Sequence, residues 1–382
     1  MKKYIILISA AVIAVGLVVF FGLNQMGLAG LSAPEGTEGT VKIGIMLPLT
    51  GDAALYGESI GTALELAKEE INAEGGILGR KVELVLEDSA CNANEGVKAI
   101  NSLVNLKGLK LIIAAECSGP SLAAAPVAED AKALYLVAVA SNPDIKYAGD
   151  YVFRIAPSDA QQGKDIAQIV YSGGFRNTAV LFMDNAYGEG IAGVFMKEIE
   201  RLDGKVAIKQ RFNQDDSDFR TQLLKTKETS PDSLFVVGYP QAYQLIIKQM
   251  YELGLDAQIF AGDTFKEASI VEALGDKVEG AIFSAYAESN SDEFRQFKEA
   301  YRKKYGKEYG PYGDYGYDSL YVLKAGIEYA KSFDPEVLKE KLYGLEYRGV
   351  TGLTKFDSYG EVDKPFGIMT VKNGEFVEYE AG

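Results

Sequence analysis

Three polar side chains follow apolar, strand-like segments at points that a ligand could reach. The hydroxyl of Ser118, at the start of a helix, could cap that helix or hold a carboxylate. Ser141 follows the next such segment, and Asp263 follows a later one, where its carboxylate could neutralise an ammonium group or cap a helix. Ordinary loop roles are the alternative for the two serines. These residue types suit the binding of a charged ligand rather than bond cleavage.

The composition excludes several classes of site. The 382 residues contain no histidine, which rules out Ser-His-Asp catalysis, Cys-His catalysis and every zinc site with a histidine ligand. Two cysteines alone can form neither a four-cysteine zinc site nor an iron–sulfur site. The 39 Lys and Arg against 54 Asp and Glu give a net charge of -15, which disfavours a nucleic-acid partner. We therefore predict a protein that is not an enzyme and has no catalytic residue, metal site or cofactor.

A glycine motif, G-E-G-I-A-G, runs from Gly188 to Gly193 between a predicted strand and a predicted helix. By itself it suggests a dinucleotide site at a helix N-terminus. However, residues 184–187 separate the strand from the first glycine, and the next strand ends near Gln210 and Arg211, where an acidic ribose partner is expected. We interpret the glycines as a turning loop that exposes Tyr187 at the entrance of a helix starting at Gly190.

The N-terminal residues predict export. Lys2 and Lys3 precede Tyr4–Leu23, an apolar run of 20 residues that could cross a hydrocarbon core of about 30 Å. Because basic residues stay inside, the remainder of the chain is expected outside the cytoplasm. The run exceeds the usual length of a signal-peptide core, and Gly27–Ala29 offers a weak cleavage site. Residues 1–30 are therefore predicted to be a signal peptide or a membrane anchor, and residues 31–40 a linker.

Export also bears on the two cysteines, Cys91 and Cys117. In an oxidising compartment, an isolated pair of cysteines is most simply explained by a disulfide. Two buried free thiols are the alternative. We predict the disulfide.

Strand-like and helix-like segments alternate along the chain. Strands are predicted at Val41–Pro48, Lys81–Glu87, Leu109–Ala115 and Leu134–Ala140, with helical periodicity between them. The alternation begins again after Tyr151–Ile155. Repeated β-α-β units favour parallel sheets with helices on both faces. We predict an α/β fold of two similar, doubly wound lobes.

Several segments, in this order, carry a family resemblance: Ile43–Gly51 (IGIMLPLTG), Ile71–Gly79 (INAEGGILG), Ala140–Pro143 (ASNP) and Tyr187–Gly190 (YGEG). They resemble motifs of the type I periplasmic binding proteins, in particular the leucine/isoleucine/valine-binding family of ABC importers. The match covers nearly everything after Val41. The resemblance implies that a hinge of three crossovers joins the lobes and that the ligand lies in the cleft between them.

The resemblance also implies the chain limits of the lobes. It places the crossovers near Ala156–Asp159, Ala285–Ser289 and Gly352–Phe356. Lobe 1 would comprise residues 41–156 and 286–353, and lobe 2 would comprise residues 157–285 and 354–382.

In amino-acid-binding relatives, the matching positions share the work of holding the ligand. The resemblance implies that Ser118 binds the α-carboxylate, that Ser141 binds both main-chain groups, and that the backbone carbonyl of Val139 accepts from the ammonium. It implies that Asp263 is the acid that pairs with the ammonium. Tyr187 would cover the ligand from the second lobe, and Tyr56 and Tyr312 would form the walls of the side-chain pocket. It also assigns Cys91 and Cys117 to the disulfide loop of the family.

The function that the resemblance implies is that of an extracytoplasmic solute-binding protein of an ABC importer. Its partners would be an amino acid, with an aliphatic or branched-chain side chain favoured, the permease and ATPase subunits, and the membrane through Tyr4–Leu23. We expect a monomer. The alternatives are a ligand-binding sensor ectodomain, or a receptor for an amide, urea or an aromatic carboxylate.

Overall fold

The computed structural model describes residues 39–115 and 117–380. The chain divides into the units Met1–Thr40 and Val41–Gly382, and the fold below is that of the second unit. The predicted signal or anchor segment Tyr4–Leu23 lies outside the described residues. Among the residues described, none of the helices is both long enough and apolar enough to span a membrane.

The strands share short, largely apolar sequences. In chain order they are β1 (Thr40–Leu47), β2 (Lys81–Asp88), β3 (Leu111–Ala114), β4 (Leu134–Val137), β5 (Val152–Arg154), β6 (Asn177–Met183), β7 (Lys205–Phe212), β8 (Ser233–Val237), β9 (Gln258–Ala261), β10 (Ile282–Tyr286), β11 (Glu346–Gly349), β12 (Gly352–Lys355), β13 (Phe366–Lys372) and β14 (Glu375–Glu378). Every residue of β3, β4 and β8 is buried, as expected for strands covered on both faces.

The α-helices lie mostly between the strands. They are α1 (Ala54–Ala73), α2 (Ala93–Asn101), α3 (Ser118–Asp130), α4 (Asp159–Ser172), α5 (Ala186–Arg201), α6 (Arg220–Glu228), α7 (Pro240–Glu252), α8 (Ala268–Leu274), α9 (Asp292–Tyr305), α10 (Gly313–Ala330) and α11 (Pro335–Leu342). Local sequence explains the ends of α9: Ser291 accepts the N–H of Phe294 at its start, and Gly306 adopts a left-handed conformation after its last residue.

Two sheets form the two lobes. The first sheet has the order β2-β1-β3-β4-β5, and β1/β3, β3/β4 and β4/β5 pair in parallel. The second has the order β14-β13-β10-β9-β8-β6-β7, in which β6 to β10 are parallel and β13 and β14 are antiparallel additions. The predicted α/β fold of two doubly wound lobes is confirmed.

The chain passes between the lobes three times: after β5, after β10 and between β12 and β13. Between the last two passages it builds α10, which packs against α1 of the first lobe. Before the last passage, β11 and β12 form a hairpin in which Gly349 pairs with Gly352. The exact lobe boundaries stay a prediction.

The glycine motif lies inside a helix, so the predicted loop is wrong. Asn185 caps α5 by accepting the N–H of Gly188, which places Tyr187 in the first helical turn. A Cβ atom at Gly188 would lie 2.0 Å from the carbonyl oxygen of Met183, and one at Gly190 would lie 2.6 Å from Nδ2 of Asn142. These glycines therefore let α5 approach the end of β6 and the opposite lobe closely.

Candidate ligand-binding site

A pocket lies between the lobes, at the carboxyl ends of their strands. It is lined by residues that follow β3, β4, β6, β8 and β9, the place where open α/β sheets bind ligands. All of the positions to which the sequence assigned a ligand role line it: Tyr56, Ser118, Val139, Ser141, Tyr187, Asp263 and Tyr312. The structure thus brings these residues together, whereas their individual roles stay predictions.

Ser118 lines the pocket, and its hydroxyl is able to donate a hydrogen bond to a ligand. It is the first residue of α3, and Cys117 occupies the capping position without a side-chain cap. The Ser118 hydroxyl accepts the N–H of Asn142 at 3.3 Å, and no described residue accepts its proton. The helix-cap role considered for Ser118 is therefore wrong. A free hydroxyl donor at a helix N-terminus favours an anionic partner.

Ser141 is paired with an acid that sequence reasoning missed. Its hydroxyl lies 2.9 Å from Oδ2 of Asp159, which is fully buried and leaves Oδ1 without a partner among the described residues. Burial, together with the nearby charge of Asp263, raises the pKa of Asp159 well above its usual value. The Ser141 hydroxyl donates this bond, so its proton reaches a ligand carboxylate only when the hydroxyl rotates away from Asp159. Little in the sequence marks Asp159 as a pocket residue, because an acid in the first turn of a helix usually stabilises the helix N-terminus.

Asp263 forms the negative centre of the pocket. It is 7% exposed; Oδ1 accepts from Gln162 at 2.9 Å and from Tyr187 at 3.1 Å, and Oδ2 accepts from Tyr312 at 2.6 Å. Its side chain makes no capping bond to the short 3-10 turn that it opens, so the helix-cap alternative is wrong. No described residue forms an ion pair with it. Since a carboxylate offers about four lone pairs, one acceptor position remains for a cation.

The main-chain carbonyl of Val139 has a partner already. The Tyr286 hydroxyl, at the end of β10 in the other lobe, donates to it at 3.0 Å. A carbonyl oxygen has two lone pairs, so it can also accept from a ligand ammonium. Sequence reasoning missed Tyr286 although it ends a strand in the same way as the residues it did select.

Five tyrosines line the pocket. Tyr56 packs edge-on against Tyr312 and Tyr239, with ring centroids 5.3 and 6.1 Å apart, and Tyr187 stacks on Tyr239 at 6.0 Å. Burial raises the pKa of each of these phenols, so all of them stay neutral at physiological pH. The Tyr56 hydroxyl is buried without a partner among the described residues. Sequence reasoning also missed Tyr239, which lies two residues after the end of β8.

The predicted disulfide is confirmed, and the free-thiol alternative is wrong. Cys91 and Cys117 are bonded across 26 residues. Cys117 lines the pocket next to Ser118, and Sγ of Cys91 lies 3.3 Å from the hydroxyl of Tyr239 in the other lobe. The bond therefore fixes the loop that presents Ser118.

The pocket is nearly filled by its own side chains. Its cavity volume is about 40 Å³, whereas a single water needs roughly 10–15 Å³. An amino acid is larger than this space, so its entry requires the lobes to separate or pocket side chains to shift. Within residues 39–115 and 117–380 there is no cluster of three or more Cys, Asp or Glu side chains that could hold a metal ion.

Comparisons with known proteins agree with this architecture. The description of the matching family is "Periplasmic binding protein", and the match covers residues 40–375. A leucine-, isoleucine-, valine-, threonine- and alanine-binding protein from Pseudomonas aeruginosa is 29% identical over 358 residues, which is 93% of each chain.

Solved structures extend the comparison to three dimensions. A leucine-binding protein, LivK, from Thermotoga maritima is 30% identical, with a TM-score of 0.82 over 89% of this chain and 98% of that one. The branched-chain amino acid transporter substrate-binding protein LivJ from Streptococcus pneumoniae, in complex with isoleucine, is 28% identical, with a TM-score of 0.79 over 88% and 97%. The family consists of solute-binding proteins that are not enzymes, so the composition argument and the comparisons agree. The chain belongs to the periplasmic binding proteins of type I, within their leucine/isoleucine/valine-binding family.

Proposed function

We propose that this protein is the solute receptor of an ABC importer and that its lobes close around an amino acid with an aliphatic side chain. The proposal is supported by one pocket that offers a hydrogen-bond donor for an anion at one end and a carboxylate for a cation at another point. The Ser118 hydroxyl lies at the N-terminus of α3 with its proton uncommitted, and Asp263 offers a buried carboxylate without an ion-pair partner among the described residues. An α-amino acid matches both.

The pocket walls support an aliphatic side chain. Ile60 and Pro48 join the tyrosine rings in lining the cavity, and aromatic faces pack well against branched alkyl groups. The named ligands of two relatives, isoleucine for the Streptococcus pneumoniae protein and leucine among five for the Pseudomonas aeruginosa protein, are of this kind. The similarity to these relatives does not determine which aliphatic amino acid this protein binds. Binding measurements are needed to identify it.

The proposal also covers the cellular location of the receptor and its transport partners. We place it outside the cytoplasm as a monomer, held at the membrane by Tyr4–Leu23. It would deliver its ligand to the permease, and the ATPase subunits would drive transport. Closure of the lobes around the ligand is driven by contacts that exist only in the closed state.

Calorimetry on the full chain tests the choice of ligand. We expect leucine or isoleucine to bind, and 4-methylpentanoate, which is leucine without the amine, to bind at least a hundredfold more weakly because Asp263 then faces a carboxylate ligand without a cation. Tight binding of 4-methylpentanoate or benzoate, with no binding of amino acids, would contradict the proposal and favour an aromatic or simple carboxylate instead.

A further inference from the structure

A second cavity, here called the acidic chamber, lies beside the ligand pocket. Its volume is about 250 Å³, several times that of the pocket. Asp263, Tyr286 and Tyr312 line both spaces and so form the wall between them. The polar residues that line only the chamber follow β9, follow β10, or lie before or in the first turn of α10: Lys266, Glu267, Glu288, Tyr309, Asp314 and Tyr315.

The chamber carries an excess of negative charge. Four carboxylates, those of Asp263, Glu267, Glu288 and Asp314, face one ammonium group. That ammonium, on Lys266, is paired with the exposed Glu288 at 2.7 Å, on the solvent side.

The two inner carboxylates form no ion pair with any described residue, although the charge of Lys364 acts on Asp314 from a greater distance. The Glu267 carboxylate forms no hydrogen bond and no ion pair with any described residue, and the Asp314 carboxylate accepts only the N–H of Tyr315, at 3.0 Å. Burial raises the pKa of Glu267 to about 7 and that of Asp314 to about 6. Both carboxylates would therefore gain from a cation placed between them.

Phenol groups give independent evidence that the chamber holds a ligand group. Tyr315 is only 2% exposed and lines the chamber, yet its hydroxyl has no hydrogen-bond partner among the described residues. This hydroxyl is not fully enclosed, so it stays open to water or to a ligand group in the chamber. The rings of Tyr312 and Tyr315 both pack edge-on against Tyr286, with centroids 5.4 and 5.0 Å apart, and Tyr309 completes a set of four aromatic side chains.

Aromatic rings combined with carboxylates select organic cations. Ammonium and guanidinium groups bind over aromatic faces and pair with carboxylates at the same time. A metal ion is the poorer candidate, since the described residues contain no suitable cluster of ligands. Lys364, whose Nζ lies 5.2 Å from the Tyr315 ring centre, donates to Thr351 and does not line the chamber.

We propose that the acidic chamber is a second subsite, which receives the positively charged end of an unbranched side chain. This inference rests on the proposed function, because the amino-acid end of the same ligand would be held at Ser118, Ser141 and Asp263. The side chain would pass where Tyr312 now forms the wall, after its hydroxyl leaves Asp263. The ligand class is thereby extended to amino acids whose linear aliphatic chain ends in an ammonium or guanidinium group.

Calorimetry with a matched ligand pair tests the proposal. Norleucine has the carbon chain of lysine without the terminal ammonium. We expect the full chain to bind lysine at least tenfold more tightly than norleucine. Glu267→Gln and Asp314→Asn should each lower the lysine-to-norleucine affinity ratio by about tenfold, as expected for the loss of one charge pair. Glu272→Gln, the same charge change at an exposed position of α8, should leave the ratio unaltered.

The outcomes separate the two proposals. If norleucine or leucine binds as tightly as lysine or more so, the chamber proposal is overturned and the amino-acid receptor stands. If none of the three amino acids binds, both proposals fail. A preference for lysine that persists undiminished in both chamber variants would also overturn the assignment, because the cation would then be recognised elsewhere.

Discussion

The hydroxyl of Tyr286 donates to the main-chain carbonyl of Val139 at 3.0 Å, from the second lobe to the first. The family resemblance assigns this carbonyl to the ligand ammonium, so the phenol and the ligand would share its two lone pairs. Tyr286 also lies between the ligand pocket and the acidic chamber. One side chain thus connects the crossover after β10 with the site.

Tyr286→Phe removes the hydroxyl that donates this bond and keeps the aromatic ring. We expect a leucine affinity that rises by two- to fivefold, about 0.5–1 kcal/mol, because the ammonium no longer shares the Val139 carbonyl with a second donor. Calorimetry with leucine measures it, and 4-methylpentanoate, which has no ammonium, serves as the control ligand. An equal change for both ligands would mean that the variant acts on lobe closure instead.

Asp263→Asn should lower the affinity for leucine by about a hundredfold, equivalent to about 3 kcal/mol, because the ligand ammonium would be buried without its counter-charge. The same variant should bind 4-methylpentanoate as well as the wild type does, or better. Asp256→Asn, at an exposed position before β9, is the matched control. Equal losses for both ligands in Asp263→Asn would show that the residue only organises Gln162, Tyr187 and Tyr312.

Ser118→Ala and Ser141→Ala should each cost about 1–3 kcal/mol of leucine binding, because the ligand carboxylate loses a hydrogen bond. Ser121→Ala is a control on the same helix: Ser121 is buried, and its hydroxyl has no partner among the described residues. It should leave the affinity unchanged in the same calorimetric assay. Wild-type affinity in both site variants would refute the assignment of the carboxylate.

Lys364 should make stability depend on pH in the alkaline range. It is 5% exposed, donates to Thr351 at 2.6 Å, and burial lowers its pKa to about 8. Between this value and the unfolded pKa of about 10.4, the unfolded chain binds more protons, so stability rises with pH. Relative to Lys364→Met, the wild type should gain about 2 kcal/mol between pH 7.5 and 9.5.

Urea unfolding at a series of pH values measures this difference. The range stops below pH 10 because the buried tyrosines, whose pKa values are raised, begin to destabilise the folded state there. A constant difference between the two proteins across the range would mean that Lys364 keeps its ordinary pKa.

Local patterns determined much of this protein. The alternation of apolar strands and amphipathic helices predicted two α/β lobes, because each parallel strand must be covered on both faces. Strand ends predicted Ser118, Ser141 and Asp263 as pocket residues, since parallel strands bring their carboxyl ends to one edge. The absence of histidine and the pairing of Cys91 with Cys117 were likewise readable from the residues.

Only the tertiary structure decided which partners these residues meet. Asp159 pairs with Ser141 across 18 residues, and Tyr312 with Asp263 across 49, and no local pattern encodes contacts at such distances. The glycine at 190 was misread for the same reason, because the need for it arises from Asn142 in the opposite lobe. The acidic chamber exists only because three separate segments converge between the lobes, so the sequence alone could not reveal it.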